Sequence, residues 1–135
     1  MEDRAIMIGI WKSYSDAYLI IAGVSMLLAF GLPLLLVPMS WTRVFRWEVP
    51  QPRNLVIFLG RSLGVFISIV AIFAFLVTHR PQAKPFFFDF MLWVFGGMIL
   101  LHVYGAIRKT QPMTETLEIL LWIILGLITL CFYPI

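Results

Sequence analysis

Residues 55–77 read LVIFLGRSLGVFISIVAIFAFLV, an apolar run that contains one charged residue, Arg61. At about 1.5 Å per residue, a helix of this length crosses a hydrocarbon core of about 30 Å. Residues 18–37, 86–107 and 117–135 form three more apolar runs of similar length. The sequence therefore predicts an all-α fold, an integral membrane four-helix bundle in a single domain over residues 1–135. The four predicted spans are residues 17–37, 54–77, 86–107 and 115–134.

Composition agrees with this prediction. Of the 135 residues 61% are hydrophobic, and the mean hydropathy is +0.97, well above what soluble domains show. The formal net charge is +3, but the ten Lys and Arg residues are spread over every segment between the spans. Because they form no basic stripe, nucleic acid is not an expected partner. Membrane lipid facing these basic residues is the expected one.

Two segments outside the spans have interfacial character. Residues 4–14 are expected to form a short helix along the membrane surface. Residues 40–52 alternate Trp41, Phe45 and Trp47 with arginines, as expected where rings lie among lipid headgroups and cations reach phosphate. The single cysteine, Cys131, excludes an intramolecular disulfide and a cysteine-based metal site.

The distribution of cations predicts an orientation. The side of the two termini carries four Lys and Arg residues, and the opposite side carries six when Arg61 is included. The excess favours termini outside and basic loops in the cytoplasm. In outline the chain resembles the small four-helix proteins of bacterial inner membranes, and this likeness implies that location but no activity.

The second span carries a polar and small-residue pattern. Asn54, Arg61 and Ser68 recur every seven residues and therefore face nearly the same way on a helix. Gly60, Gly64 and Ser68 form a ridge of small residues, a pattern that lets two membrane helices approach closely. The sequence thus predicts a buried second span with Arg61 directed inward and with Gly60, Gly64 and Ser68 as helix-packing positions.

Five polar residues are expected at one depth. Arg61 lies about 10 Å along its helix from Asn54, and His102 lies about 9 Å from the basic end of the third span. Glu115 and Glu118 begin the fourth span on the same membrane side. The candidate binding cluster is Asn54, Arg61, His102, Glu115 and Glu118, with an expected ion pair between Arg61 and one of the two glutamates.

This cluster allows three interpretations. It could be a structural ion pair that holds three helices together, a ligand or cofactor pocket, or a proton or ion path. For Glu115, compensation of the helix dipole is a sufficient account. The two histidines, His79 and His102, are expected at opposite surfaces, so no metal site is predicted and the cofactor remains open. Haem or pigment ligation would depend on His102 alone or on an oligomer.

No catalytic motif is present, so function is inferred from how little of the chain lies outside the spans. With so few residues outside the spans, whatever the chain recognises is lipid, a membrane-soluble molecule or another membrane helix. The leading hypothesis is a non-enzymatic accessory or binding subunit that packs with partner subunits or with itself. The alternatives are a transporter or channel component that uses the polar cluster, and an enzyme that acts on a lipidic substrate with His102 or Glu118 as acid or base.

Overall fold

The computed structural model describes residues 8–135, and within that range the chain is helical and has no strand. Single 3₁₀ turns at Lys12–Tyr14 and Pro81–Ala83 lead into the first and third long helices. The α-helices are α1 (Ser15–Met26), α2 (Leu32–Leu36), α3 (Pro38–Val44), α4 (Asn54–Thr78), α5 (Lys84–Arg108) and α6 (Met113–Cys131).

Four stretches are long and apolar enough to cross a membrane, which confirms the predicted fold class. They are Lys12–Leu36, Asn54–Thr78, Pro81–Arg108 and Met113–Cys131, hereafter spans one to four. The predicted short helix between spans one and two is α3. Of the helix predicted over residues 4–14, residues 4–7 lie outside the described range, and residues 8–14 form turns that end in the 3₁₀ turn Lys12–Tyr14.

Span one is interrupted by a π turn at Leu27–Gly31, and Pro33 is the second residue of α2, which begins directly after this turn. Proline has no backbone N–H, so Pro33 cannot donate to the carbonyl of Ala29 one turn earlier. The indole Nε1–H of Trp41 donates to that carbonyl instead, at 3.3 Å. The interfacial helix α3 therefore supplies the hydrogen bond that the proline removes, and this contact folds α3 back against span one.

The long helices pack as two pairs. α4 lies along α1 and α2, whereas α5 lies along α6, and α4 and α5 touch over a shorter length. A buried core joins the pairs toward the end of the bundle that holds residues 9–14 and the C-terminus. Its members are Leu19, Ala74, Val77, Phe87, Phe88, Met91, Phe95 and Trp122.

The small residues of α4 lie where α4 meets span one and the start of α3. A Cβ atom on Gly64 would collide with the backbone of Leu35 and of Gly31, and one on Gly60 would lie 3.0 Å from Pro38. Ser68 lies beside Gly31 and donates its hydroxyl to the carbonyl of Gly64 at 2.7 Å. Close approach of two membrane helices needs such small residues at the point of contact.

The two ends of the described chain are joined. The backbone N–H groups of Gly9 and Trp11 donate to the carbonyls of Leu130 and Cys131, each at 2.9 Å. Both carbonyls lie in the last turn of α6, where the helix offers no donor four residues on, and that of Leu130 also accepts from the N–H of Tyr133 at 3.3 Å. At the same end of the bundle Lys84 pairs with Asp16 at 2.6 Å.

Candidate functional site

The hairpin between α5 and α6 positions the buried polar residues. α5 ends where Lys109 adopts a left-handed conformation, and the amide Nε2 of Gln111 then donates to the carbonyl of His102 at 2.9 Å. The Gln111 side chain lies against Gly105, where any Cβ would clash with it. This folded-back glutamine brings the first turns of α6 beside the last turns of α5.

Three ionisable side chains meet between these helices. His102 on α5 and Glu115 and Glu118 on α6 are 3%, 8% and 8% exposed. The Nε2 atom of His102 lies 3.1 Å from Oε2 of Glu115 and 3.5 Å from Oε2 of Glu118. We call these three residues the His–Glu cluster.

One backbone contact fixes the histidine ring. Nδ1 of His102 lies 2.7 Å from the carbonyl oxygen of Met98. A carbonyl only accepts, so Nδ1 carries a hydrogen, and Nε2 is the atom directed at the two glutamates. With both glutamates ionised, a hydrogen bond there requires the charged imidazolium. With a neutral ring, a protonated glutamate or a bound cation must fill the same place.

The loop after α3 covers the outer side of the His–Glu cluster. The indole Nε1–H of Trp47 donates to Oε1 of Glu115 at 2.7 Å. Next to it, the hydroxyl of Thr114 donates to the carbonyl of Phe45. Sequence reasoning placed Trp47 at the membrane surface but gave no signal that it would reach α6, because the two residues are 68 positions apart.

Two polar atoms of the site have no hydrogen bond among the described residues. They are Oε1 of Glu118 and Nε1 of Trp122, and both are buried. The Trp122 side chain lies one helical turn after Glu118, and its ring centroid is 6.1 Å from that of His102. Buried polar atoms without partners are rare in proteins and often mark sites that hold a water, an ion or a ligand.

The other two residues of the expected polar cluster are elsewhere. Asn54 is exposed at the start of α4, and Arg61 is exposed on the same helix. Within residues 8–135 Arg61 forms no ion pair, so the expected contact with Glu115 or Glu118 is absent. This corrects the prediction of a buried second span with Arg61 directed inward, because span two has the smallest buried share of the four spans and Arg61 is exposed on it. The structure does bring His102 together with the two glutamates, but α4 packs against span one and not against α6.

A groove adjoins the site. It runs between span one and span four and has a volume of about 890 Å³. Small side chains of span one form one wall, apolar side chains of α6 form the other, and aromatic rings close the back. The residues in that order are Ala22, Ser25 and Ala29; Leu121, Leu125 and Ile128; and Phe30, Phe95 and Trp122.

The described walls of the groove are uncharged, and they touch at two places. Among residues 8–135, no lining residue is ionised at neutral pH. At one end Tyr18 stacks on Phe132, with ring centroids 4.9 Å apart, and hydrogen-bonds to Thr129. At the back of the groove the ring centroids of Phe30 and Trp122 are 6.4 Å apart. Between these two contacts the small residues of span one leave the space unfilled.

Comparison with protein-family models, with curated proteins and with solved structures gives no match. The functional conclusions therefore rest on the residues of the groove and of the His–Glu cluster.

Proposed function

We propose that this chain is a non-enzymatic binding protein of the membrane, and that it holds an uncharged, largely apolar, membrane-soluble molecule in the groove between spans one and four. The observation that carries this proposal is the groove itself. Its volume of about 890 Å³ falls within the range of roughly 300–1,000 Å³ that is usual for small-molecule and cofactor sites.

The chemistry of the walls selects the occupant. Within the part of the chain that the structure describes, every residue that lines the groove is neutral, so these walls offer a charged molecule no counter-charge. Aromatic rings at the back, including Phe30, Phe95 and Trp122, favour a molecule with flat or unsaturated parts. Ser25 and Tyr14 are exposed in the groove and offer hydroxyl groups to a neutral polar end.

Contacts between the two walls argue against a partner helix as the occupant. The Tyr18–Thr129 hydrogen bond and the Phe30–Trp122 ring contact join the wall of span one to that of span four. These contacts leave room for a molecule or an acyl chain, and they obstruct a helix that crosses the whole membrane.

The test is retention of the molecule by purified protein. Ala22→Trp places a large side chain in the groove, whereas Leu127→Trp adds the same side chain at an exposed position of α6 outside it. Each protein is purified in mild detergent and analysed by native mass spectrometry, with helix content and thermal unfolding measured alongside.

We expect wild type and Leu127→Trp to retain an uncharged molecule that Ala22→Trp has lost, with the fold unchanged in all three. Equal retention by all three proteins would contradict the proposal. A stoichiometric membrane protein that is lost only from Ala22→Trp would also contradict it and would make the groove an interface between subunits.

We also propose a bacterial cytoplasmic membrane as the location, with both termini outside. The excess of cations in the loops opposite the termini supports this orientation. The hydrogen bonds of Gly9 and Trp11 to the end of α6 are consistent with it, since they hold the two ends of the described chain on one side.

A further inference from the structure

We propose that the His–Glu cluster is a binding site for a divalent transition-metal cation of the zinc class, with Nε2 of His102 and one carboxylate oxygen each from Glu115 and Glu118 as ligands. This inference departs from the sequence, which predicts no metal site, and it does not depend on what occupies the groove.

The spacing of the three atoms fits such a cation. One potential ligand atom from each residue lies within 4.8 Å of the other two. Nitrogen and oxygen ligands lie about 2.0–2.2 Å from zinc, so neighbouring ligands of a tetrahedral site are roughly 3.4 Å apart. The observed separations from Nε2, 3.1 Å and 3.5 Å, bracket that value. A cation between the three atoms would take the place of shared protons.

Charge supports the same conclusion. The cluster contains two carboxyl groups, both about nine-tenths buried. No lysine or arginine among residues 8–135 forms an ion pair with either of them. Arg61, the cation that the sequence predicted there, is exposed on α4. An uncompensated pair of buried carboxylates is strongly unfavourable. A divalent cation with a neutral imidazole would bring the net charge of the cluster to zero.

The surrounding hydrogen bonds are those that a metal site needs. Histidine ligands usually donate their second ring N–H to a carbonyl or carboxylate, which fixes the ring and the tautomer. Here Nδ1–H of His102 donates to the carbonyl of Met98, and Trp47 donates to the oxygen of Glu115 that faces away from Nε2. Oε1 of Glu118 is buried and forms no hydrogen bond among residues 8–135, as expected for a carboxylate that is missing a ligand.

The types of ligand limit which metals the site would bind. One imidazole and two carboxylates suit zinc, iron(II), cobalt(II) or manganese(II), whereas thiolate or thioether ligands, which copper(I) prefers, are not part of the cluster. Three protein ligands leave a fourth position open in a tetrahedral site. Cobalt(II) is the useful probe because its visible spectrum reports both binding and geometry.

The test uses full-length protein in mild detergent, stripped with a chelator and titrated with cobalt(II), followed by competition with zinc. The variants His102→Gln and Glu118→Gln remove one ligand each. The matched controls are His79→Gln, which changes the other histidine of the chain, and Asp89→Asn, which changes an acid near the opposite end of α5. Helix content and size-exclusion profiles identify any variant that does not fold.

We expect wild type and both controls to bind one cobalt per chain with tetrahedral visible bands, and folded ligand variants to show none. Trp47→Phe should bind about 10-fold to 100-fold more weakly, as is typical when a group that orients a ligand is removed. Absence of binding by folded wild type at millimolar cobalt would overturn the site and leave shared protons as its neutralising charge. So would undiminished binding by folded His102→Gln.

X-ray absorption of the zinc-loaded wild type keeps the proposal testable even if no ligand variant folds. One nitrogen and two or three oxygens at about 2.0–2.2 Å are expected. A shell with sulfur, or with six oxygens and no nitrogen, would contradict the assignment.

Discussion

The side chains of Trp41 and His102 each donate a hydrogen bond to a backbone carbonyl of a spanning helix. Trp41 donates to the carbonyl that Pro33 leaves free in span one, and His102 donates to the carbonyl of Met98 one turn earlier in α5. Neither contact is visible in the sequence, because hydropathy reports which residues enter the membrane and not which carbonyl lacks a donor. Pro33 indicates that a carbonyl one turn earlier lacks its usual backbone donor, but only the fold shows that Trp41 donates to that carbonyl.

The Trp41 contact leads to a stability prediction. Trp41→Phe keeps an aromatic ring and removes the indole donor to the Ala29 carbonyl. We expect a loss of about 0.5–1.5 kcal/mol in the free energy of unfolding, the usual net contribution of one hydrogen bond, because Ala29 is exposed on the surface of the bundle. Trp93→Phe is the matched control, since Trp93 is 82% exposed. Unfolding in mixed detergent measures both, and equal effects would show that the Trp41 hydrogen bond contributes nothing.

Tyr133, beyond the end of α6, gives a prediction about pH. Its hydroxyl donates to Oδ1 of Asp89 at 2.7 Å, and this hydrogen bond raises the pKa of the Tyr133 hydroxyl, with smaller contributions from burial and from the carboxylate charge. A raised pKa in the folded state means that the contribution to stability is present at neutral pH. It is lost as the pH rises from the ordinary tyrosine value, about 10, through the raised one.

Asp89→Asn tests this linkage. We expect the pKa of Tyr133 to fall toward its ordinary value in the variant, because the anionic acceptor is gone. The tyrosinate absorbance that distinguishes wild type from Tyr133→Phe gives the titration of this residue alone, and the same comparison is made in the Asp89→Asn background. An unchanged midpoint would show that Asp89 does not hold the Tyr133 proton.

At the scale of elements, apolar length predicted the four long helices, and the small-residue pattern of α4 lies at a real helix contact. Which helices pack against each other could not be predicted in the same way. Asn54, Arg61 and Ser68 share a face by periodicity, but the identity of the helix that meets this face depends on how α3 and the hairpin of α5 and α6 fold back. The sequence therefore indicated the depth of His102, Glu115 and Glu118, while it placed Arg61 in the wrong surroundings.

The contact between α4 and span one is testable with two glycines. Gly64→Ala would force a methyl group into the backbone of Leu35 and Gly31, and overpacking of this kind costs about 1–3 kcal/mol. Gly97→Ala is the matched control, because nothing lies within 4 Å of the added Cβ. We expect only Gly64→Ala to lower the temperature of thermal unfolding in detergent. Equal behaviour of the two variants would contradict the close approach of these helices.

For the molecule as a whole, the proposed orientation is testable directly. Reporter domains fused after Trp47 and after Ile135 should give cytoplasmic and external signals, respectively, because the loops opposite the termini hold more cations. A variant with fewer cations in these loops provides the control. Replacing Arg43 and Arg46 by glutamine removes two of those cations and should increase the fraction of inverted molecules. A cytoplasmic signal at Ile135 in wild type would show the reverse orientation.

The central claim is that span one and span four enclose a groove open to the membrane. Trp122 reports on it, because this residue is 9% exposed and lines the groove. Delipidated protein is placed in phosphatidylcholine vesicles whose acyl chains carry bromine, and the quenching of Trp122 is the difference between wild type and Trp122→Phe. The account predicts strong quenching of Trp122, reduced when Ala22→Phe fills the groove. Trp122 fluorescence that bromine leaves unchanged in wild type would mean that the two spans close on each other, and the proposed binding site would not exist.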